Sequence, residues 1–432
     1  MKKSTLIISI IIILAVIGGI FYWFFIYNKT NTVVDDPSST TGNKFNPINR
    51  GGNGRVATST NNNGNRNATS TTINNNGGGI VKLPKLRLIS ANPVAGMFAS
   101  STKIKPSTTS STTIDQTILR FIDRGTGHIY QANDLNLNIE KISNTTLPKI
   151  YEAYWNKNLT AFIARYLKSS DDSIINFYAE MRKTATSTAS STTPYEIKGK
   201  YLSPNITEIA ISPAADKIFT WNIENGKGIG YISAFDEKSK VKIIETPLNQ
   251  VNIDWPETST VLITTKGSGV ANGYAYSANT KTGDSTKIIG NIVGLSAKMS
   301  SDGKKLIYSS GGTSISTKIL DIKTSTSTEV IFSTLVDKCV WSKLNINELF
   351  CAVPTDLPNG IYPDDWYRGA ISFNDKIWSL DITTGEVHLM ANLLTLSNRS
   401  IDATQLTLDP KENYLYFINK DDLSLWSLDL NQ

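Results

Sequence analysis

Ile377-Trp378-Ser379-Leu380-Asp381-Ile382 and Leu425-Trp426-Ser427-Leu428-Asp429-Leu430 write one short phrase twice near the end of a 432-residue chain. Apolar and polar residues alternate in it, the period of a half-buried strand. An Asp closes it, and an Asp side chain can bond its own backbone two residues on and so start a turn. The same position upstream is held by Asp236, Asn279 and Asp321, followed in Asp381 and Asp429 by the two phrases above. Thr282-Gly283-Asp284 and Thr384-Gly385-Glu386 supply turn chemistry after two members of this column.

A second column precedes it in each repeat: Trp155, Ser212, Trp255, Ser300, Trp341 and Asp409. A polar turn follows each, and then an apolar strand: Phe162–Leu167, Ile218–Ile223, Val261–Thr265, Leu306–Ser310, Leu349–Val353 and Leu415–Asn419. Ser301-Asp302-Gly303-Lys304 is one such turn, with the Asp-Gly pair that suits a tight hairpin. Final strands are read at Val241–Glu245, Thr286–Gly290, Thr328–Phe332 and Val387–Ala391. Four strands per repeat, at steps of roughly 41 to 45 residues, spell the blade of a β-propeller. Two steps are longer. One carries the Ser/Thr-rich stretch Thr184–Thr193, the other the aromatic-rich stretch Pro354–Asp375.

Six blades are read from Ile150 onward and a seventh upstream: Pro93–Ser100, Ile118–Ile122, His128–Ala132 and Asn138–Ile142, with Ser101–Thr113 as a loop insertion. The last blade is one strand short at Gln432, and Leu86–Ser90 (LRLIS) is the natural donor. Pairing the two would leave no exposed edge. The expectation is an all-β, seven-bladed propeller over residues 81–432, with six or eight blades as the alternatives, closed by N- and C-terminal strand pairing.

Ser300–Tyr308 (SSDGKKLIY) and Ser212-Pro213 resemble the WD40-like repeats of TolB-type bacterial propellers. The resemblance covers about Leu86 to Gln432 and implies the fold, not an activity. The Gly-His start of eukaryotic WD40 repeats is absent. The layout also resembles membrane-anchored propeller proteins of reduced-genome bacteria, which implies a source and no chemistry.

The N-terminal region is of another kind. Thr5–Tyr27 is apolar without a charge, long enough for a helix to cross a hydrocarbon core of about 30 Å. Lys2 and Lys3 before it put residues 1–4 in the cytoplasm and the rest of the chain outside. Tyr22, Trp23 and Tyr27 suit the outer interface. A cleaved signal peptide is the competing reading, but the run is long for one, and Phe21–Tyr27 is bulky where a cleavage site is small. Residues 28–80 are rich in Asn, Ser, Thr and Gly, too poor in apolar groups to offset ordering entropy. They read as a disordered tether of roughly fifty residues spanning about 40 Å.

Composition removes several function classes. A net charge of +6 is small for this length, and no basic cluster points to nucleic acid. The chain has only two histidines, His128 and His388, and no GxSxG elbow for a nucleophile. No phosphate loop or twelve-residue calcium loop occurs, so neither a metal nor a cofactor is expected. The two cysteines, Cys339 and Cys351, flank a hairpin-like stretch centred near Asn345. In an oxidising compartment they are candidates for a disulfide. Two half-buried thiols fit the pattern as well.

The candidate binding loop is Tyr362-Pro363-Asp364-Asp365-Trp366-Tyr367-Arg368. Trp, Tyr and Arg dominate binding hot spots, and the two carboxylates add directed hydrogen bonds. The same residues suit a pin that fastens a long loop to the propeller face, with Trp366 and Tyr367 as the anchors. Trp155, Trp255 and Trp341 are read as packing between blades. Together these features favour an anchored, extracytoplasmic module that binds an envelope protein or glycan. An envelope hydrolase or lyase with its site at the channel is the second reading, and a structural or adhesive surface protein the third.

Overall fold

The computed structural model describes residues 83–105, 112–134, 138–168, 173–183 and 194–432. The proposed anchor Thr5–Tyr27 and tether 28–80 lie outside the described residues, as does Thr184–Thr193. No helix among the described residues is long and apolar enough to cross a membrane.

Among the described residues, twenty-eight strands form five four-stranded sheets and one eight-stranded sheet. The larger sheet is two four-stranded meanders, Val94–Ser143 and Ile150–Tyr201, joined by the single parallel pair Ser143–Tyr195. Within each meander consecutive strands pair antiparallel, as short turns require. The later sheets begin at Ile206, Val251, Ser296, Cys339 and Ala403. The last borrows its outer strand from the start of the described chain, since Leu86–Ser90 pairs with Leu425–Asp429, Leu86 opposite Leu428. The donor strand LRLIS is therefore placed where the sequence put it.

Packing turns these sheets into a ring. Each main apolar cluster straddles two consecutive four-stranded units, as strands with two apolar faces demand. Ala95, Ile122 and Ile142 pack on Ile150, Trp155 and Phe162, for example, and Ala210, Phe219 and Trp221 on Val251, Trp255 and Val261. The cluster of Ile89, Tyr416, Ile418 and Leu425 against Val94, Leu119 and Phe121 joins the last unit to the first. First strands of several neighbouring units lie side by side, including those of the last unit and the first. This is the architecture of a β-propeller, with the first strands lining a central channel.

The two sequence columns acquire physical roles here. Asn279, Asp321, Asp381 and Asp429 each accept, through Oδ1, a backbone N–H two or three residues on, at 2.7 to 3.1 Å. The other column splits in two. Trp155 and Trp341 close their strands, and there the turn is held by the following residue, whereas Trp255 lies within Val251–Glu257. Asn156, Ser212, Ser300 and Asp409 each accept from the amide five residues on, at 2.7 to 3.1 Å. Ser342 does so from the amide of Asn345 at 2.8 Å. A shift of one residue reverses the side of a strand, which is why one position packs and the next caps.

Ser300→Ala is expected to lower stability by about 1–2 kcal/mol, read as a lower urea midpoint at unchanged slope. Its hydroxyl is fully buried, donates to Asp302 Oδ1 at 2.7 Å and accepts from Lys305 N at 3.0 Å. An unchanged midpoint would remove the capping role.

One sequence expectation is corrected. Ser101–Thr113 is not wholly a loop: the first hairpin continues as Val94–Ile104 against Ile114–Asp123, with Ile104 opposite Ile114. Thr and Ser carry enough β-propensity for the arms to run on past the core.

Candidate functional site

First strands end at one face of the propeller, where the capped turns lie; this is the turn end. The stretch between Pro354 and Asp375 joins a second strand to a third, so it lies at the opposite end.

There the insertion is tied down along its length. Tyr362 N donates to Gly312 O at 2.7 Å and Gly312 N to Tyr362 O at 2.8 Å. A Cβ on Gly311 would stand 2.1 Å from the Tyr362 carbonyl, so only glycine allows this approach. Asp364 accepts from Ser268 Oγ at 3.0 Å and Gly269 N at 2.5 Å. Asp365 accepts from Ile361 N at 2.7 Å and pairs with Arg368, bonds that hold its carboxyl below the usual range.

Trp366 is 4% exposed, stacks on Phe373 at 6.2 Å and donates from Nε1 to Asp402 Oδ2 at 2.8 Å. Tyr362 is fully buried beside the same ring. Tyr367 donates to Asp337 Oδ1 at 3.1 Å, and burial and that carboxylate push its hydroxyl well above the ordinary value. It nonetheless remains 40% exposed, and Arg368 is exposed as well. Of the six loop residues, then, Tyr362 and Trp366 face inward, Asp364 and Asp365 bond the scaffold, and Tyr367 and Arg368 face solvent.

Beneath the insertion lies a group that sequence reading missed. Lys338, Asp375 and Asp402 are all without exposed surface. Lys338 Nζ stands 2.8 Å from Asp375 Oδ2 and also bonds Asp402 Oδ1. The rings of Trp366 and Phe373 flank the ammonium at 5.3 and 5.1 Å. Three starts of strands bring these residues together, and no local motif joins them. The available signal was a lysine set directly before the apolar strand Cys339-Val340-Trp341.

At the turn end the channel opens into a cavity of about 630 Å³. Phe98, Ile211, Trp255, Met299, Val340 and Trp341 form apolar walls. Asp254 and Lys298 line it and a smaller cavity of about 140 Å³ that also reaches Asp337. Lys298 Nζ donates to Cys339 O at 2.6 Å; burial lowers its pKa and raises that of Asp254. Trp255 and Trp341 thus pack between units and also show an edge to the cavity, whereas Trp155 is sealed in the core.

Further round the channel wall Arg165 is buried, bonding Glu152 Oε2 at 2.7 Å and Thr207 O at 2.7 Å. Glu208 on the next first strand pairs with Lys266 at 2.9 Å. Cys339 and Cys351 stand opposite each other in register, are buried and are joined as a disulfide. His128 follows a turn in the first unit, and His388 lies on an outer strand. No group of three or more His, Cys, Asp or Glu suited to a metal occurs among the described residues.

The fold and this channel define a β-propeller. Among solved structures the chain is similar to the GH74 enzyme of Niastella koreensis, at 14% identity over 79% of this chain and 54% of that one, TM-score 0.49. It is similar to the oligogalacturonate lyase of Vibrio parahaemolyticus, at 10% identity over 78% and 98%, TM-score 0.48. TolB of Acinetobacter baumannii is similar at 13% identity over 77% and 79%, TM-score 0.40. No protein-family model matches the chain, and no curated protein sequence matches it.

Proposed function

We propose that this is an anchored, extracytoplasmic, seven-bladed propeller that binds an envelope partner at the turn-end mouth of its channel. The observation that carries the reading is the cavity of about 630 Å³ itself. Large apolar walls with a few placed charges are the chemistry of a binding pocket. Phe98, Trp255, Met299 and Trp341 offer contact area, while Asp254, Lys298 and Lys343 offer direction. An exposed segment of an envelope protein suits these walls better than a glycan, whose hydroxyls need more polar partners than the mouth supplies. The buried disulfide fits an oxidising compartment, in keeping with an anchor at Thr5–Tyr27 and a tether at 28–80. The four-stranded units count as seven blades when the eight-stranded sheet is taken as two.

A second reading has one observation in its favour. Asp254 and Lys298 share the cavity with pKa values moved toward each other by burial, an arrangement common where acid–base chemistry is done. An envelope hydrolase or lyase would use them there.

The test is saturable capture of a partner by the full chain on intact cells, with two variants chosen at opposite ends. Val340→Lys puts a charge on a partly exposed wall of the mouth. Tyr367→Ala with Arg368→Ala strips the solvent-facing part of the insertion and leaves Trp366 in place. Val340→Lys is expected to reduce capture at least tenfold at unchanged melting temperature, and the loop variant to leave it intact. The reverse pattern would move the site to Tyr367 and Arg368. Loss of turnover of an envelope substrate in Asp254→Asn, with capture kept, would favour the second reading.

A further inference from the structure

The cluster under the insertion has a geometry that an ion pair does not need. We propose that Lys338 and Asp402 condense into an intramolecular amide, an isopeptide cross-link between the last two units, with Asp375 as the proton-transfer group.

Nucleophile and carbonyl carbon are already together, because Lys338 Nζ bonds Asp402 Oδ1. The other oxygen, Asp402 Oδ2, accepts from Trp366 Nε1 at 2.8 Å and from Phe373 N at 3.1 Å. Two N–H donors on one carboxyl oxygen are what an oxyanion needs when an amine attacks the adjacent carbon. Asp375 touches the same amine. Its Oδ2 lies 2.8 Å from Lys338 Nζ and accepts from Ala403 N at 2.6 Å. Its Oδ1 is buried with no hydrogen-bond partner, a free position for a proton. Burial, ahead of the opposing pull of Lys338, raises the Asp375 carboxyl to about 6, so it exchanges protons near neutrality.

The step balances. Nζ gives a proton to Asp375 and attacks Cγ of Asp402; a C–N bond forms and negative charge moves to Oδ2. That charge collapses back as the Cγ–Oδ1 bond breaks. Oδ1 leaves as water, carrying two hydrogens from the former ammonium, one of them relayed by Asp375. An ammonium and a carboxylate become a neutral amide and one water, with no oxidant or activating group and Asp375 unchanged. Full burial of all three side chains favours this direction, since neither charge is hydrated in the starting state.

The experiment is intact-mass and peptide analysis of the purified full chain, denatured and with the disulfide reduced. The expected result is a mass lighter by one water than the sequence requires. After trypsin a branched peptide should join the segments containing Lys338 and Asp402, with cleavage after Lys338 blocked. Asp375→Asn should show the full mass and two linear peptides while keeping its β-sheet circular dichroism. Linear peptides and full mass in the unaltered chain would overturn the proposal whatever the variants do. A branched peptide that persists in Asp375→Asn would overturn the role given to that residue.

Discussion

Measured against a chain in which Lys338 and Asp402 are still an ion pair and not yet condensed, Lys338→Met will leave Asp375 and Asp402 facing each other in a dry site, with a loss of about 3–5 kcal/mol expected at about pH 8. Methionine keeps most of the volume, so the cost is electrostatic, not a cavity. The deficit will depend on pH in a defined sense. Lys338 is the group that pulls the Asp375 carboxyl down against burial, so without it the folded value rises further above that of the unfolded chain. A folded form with the higher pKa binds more protons between the two values, and its stability falls as pH rises through that interval. The variant should therefore approach the unaltered chain at about pH 4 and fall away from it above about pH 6. Urea midpoints at three pH values measure this. A deficit that is flat with pH, or that grows in acid, would show that the two carboxyls do not carry the effect.

Replacing Leu86–Ser90 by a Gly-Ser run of equal length should be more damaging still. Ile89 is buried in the cluster that joins the last unit to the first, and Leu86 packs beside Leu428. Burying two such side chains contributes about 1.5–3 kcal/mol each, and the paired backbone adds to it. A loss of 5 kcal/mol or more is expected, on the order of the whole stability of a domain. The strand Leu425–Asp429 would also become an open edge, and open edges recruit other chains. The readouts are a melting curve that loses its sharpness and a size-exclusion profile that moves to larger species. A sharp transition with monomeric elution would mean the ring holds without its closing strand.

Much of the fold was legible because its signals are local. Alternating residues, Asp at strand ends and Ser before the turns all act within about five residues, and each has a hydrogen bond behind it in the structure. LRLIS was readable as the donor because the last repeat lacked a partner for its third strand. The long arms of the first hairpin were not, since Ser and Thr read as loop whenever apolar residues thin out.

The insertion shows where sequence reading stops. Its aromatic and charged residues suit contact with a partner or with the propeller itself, and the side each faces depends on strands far away in the chain. Trp366 turns inward because Asp402, Lys338 and Phe373 await it there. Lys338 and Asp402, 64 positions apart, give no shared pattern to find. The mouth cavity is likewise assembled from single residues of many repeats, so no one repeat announces it.

The closing strand also settles how the molecule would carry a pull. Leu86 pairs with Leu428, so the chain leaves the ring at the turn end, beside its own last residues. Tension on residues before Leu83 enters at that buckle. Directed along the strand it is shared by all the backbone bonds in shear; directed outward it opens them one after another, like a zip. From Leu425–Asp429 the load crosses its sheet to the strand beginning at Ala403, and Asp402 is the next residue along that route. Lys338 and Asp375 grip the chain there, so the fastening between the last two blades sits in series with the buckle and not off to one side.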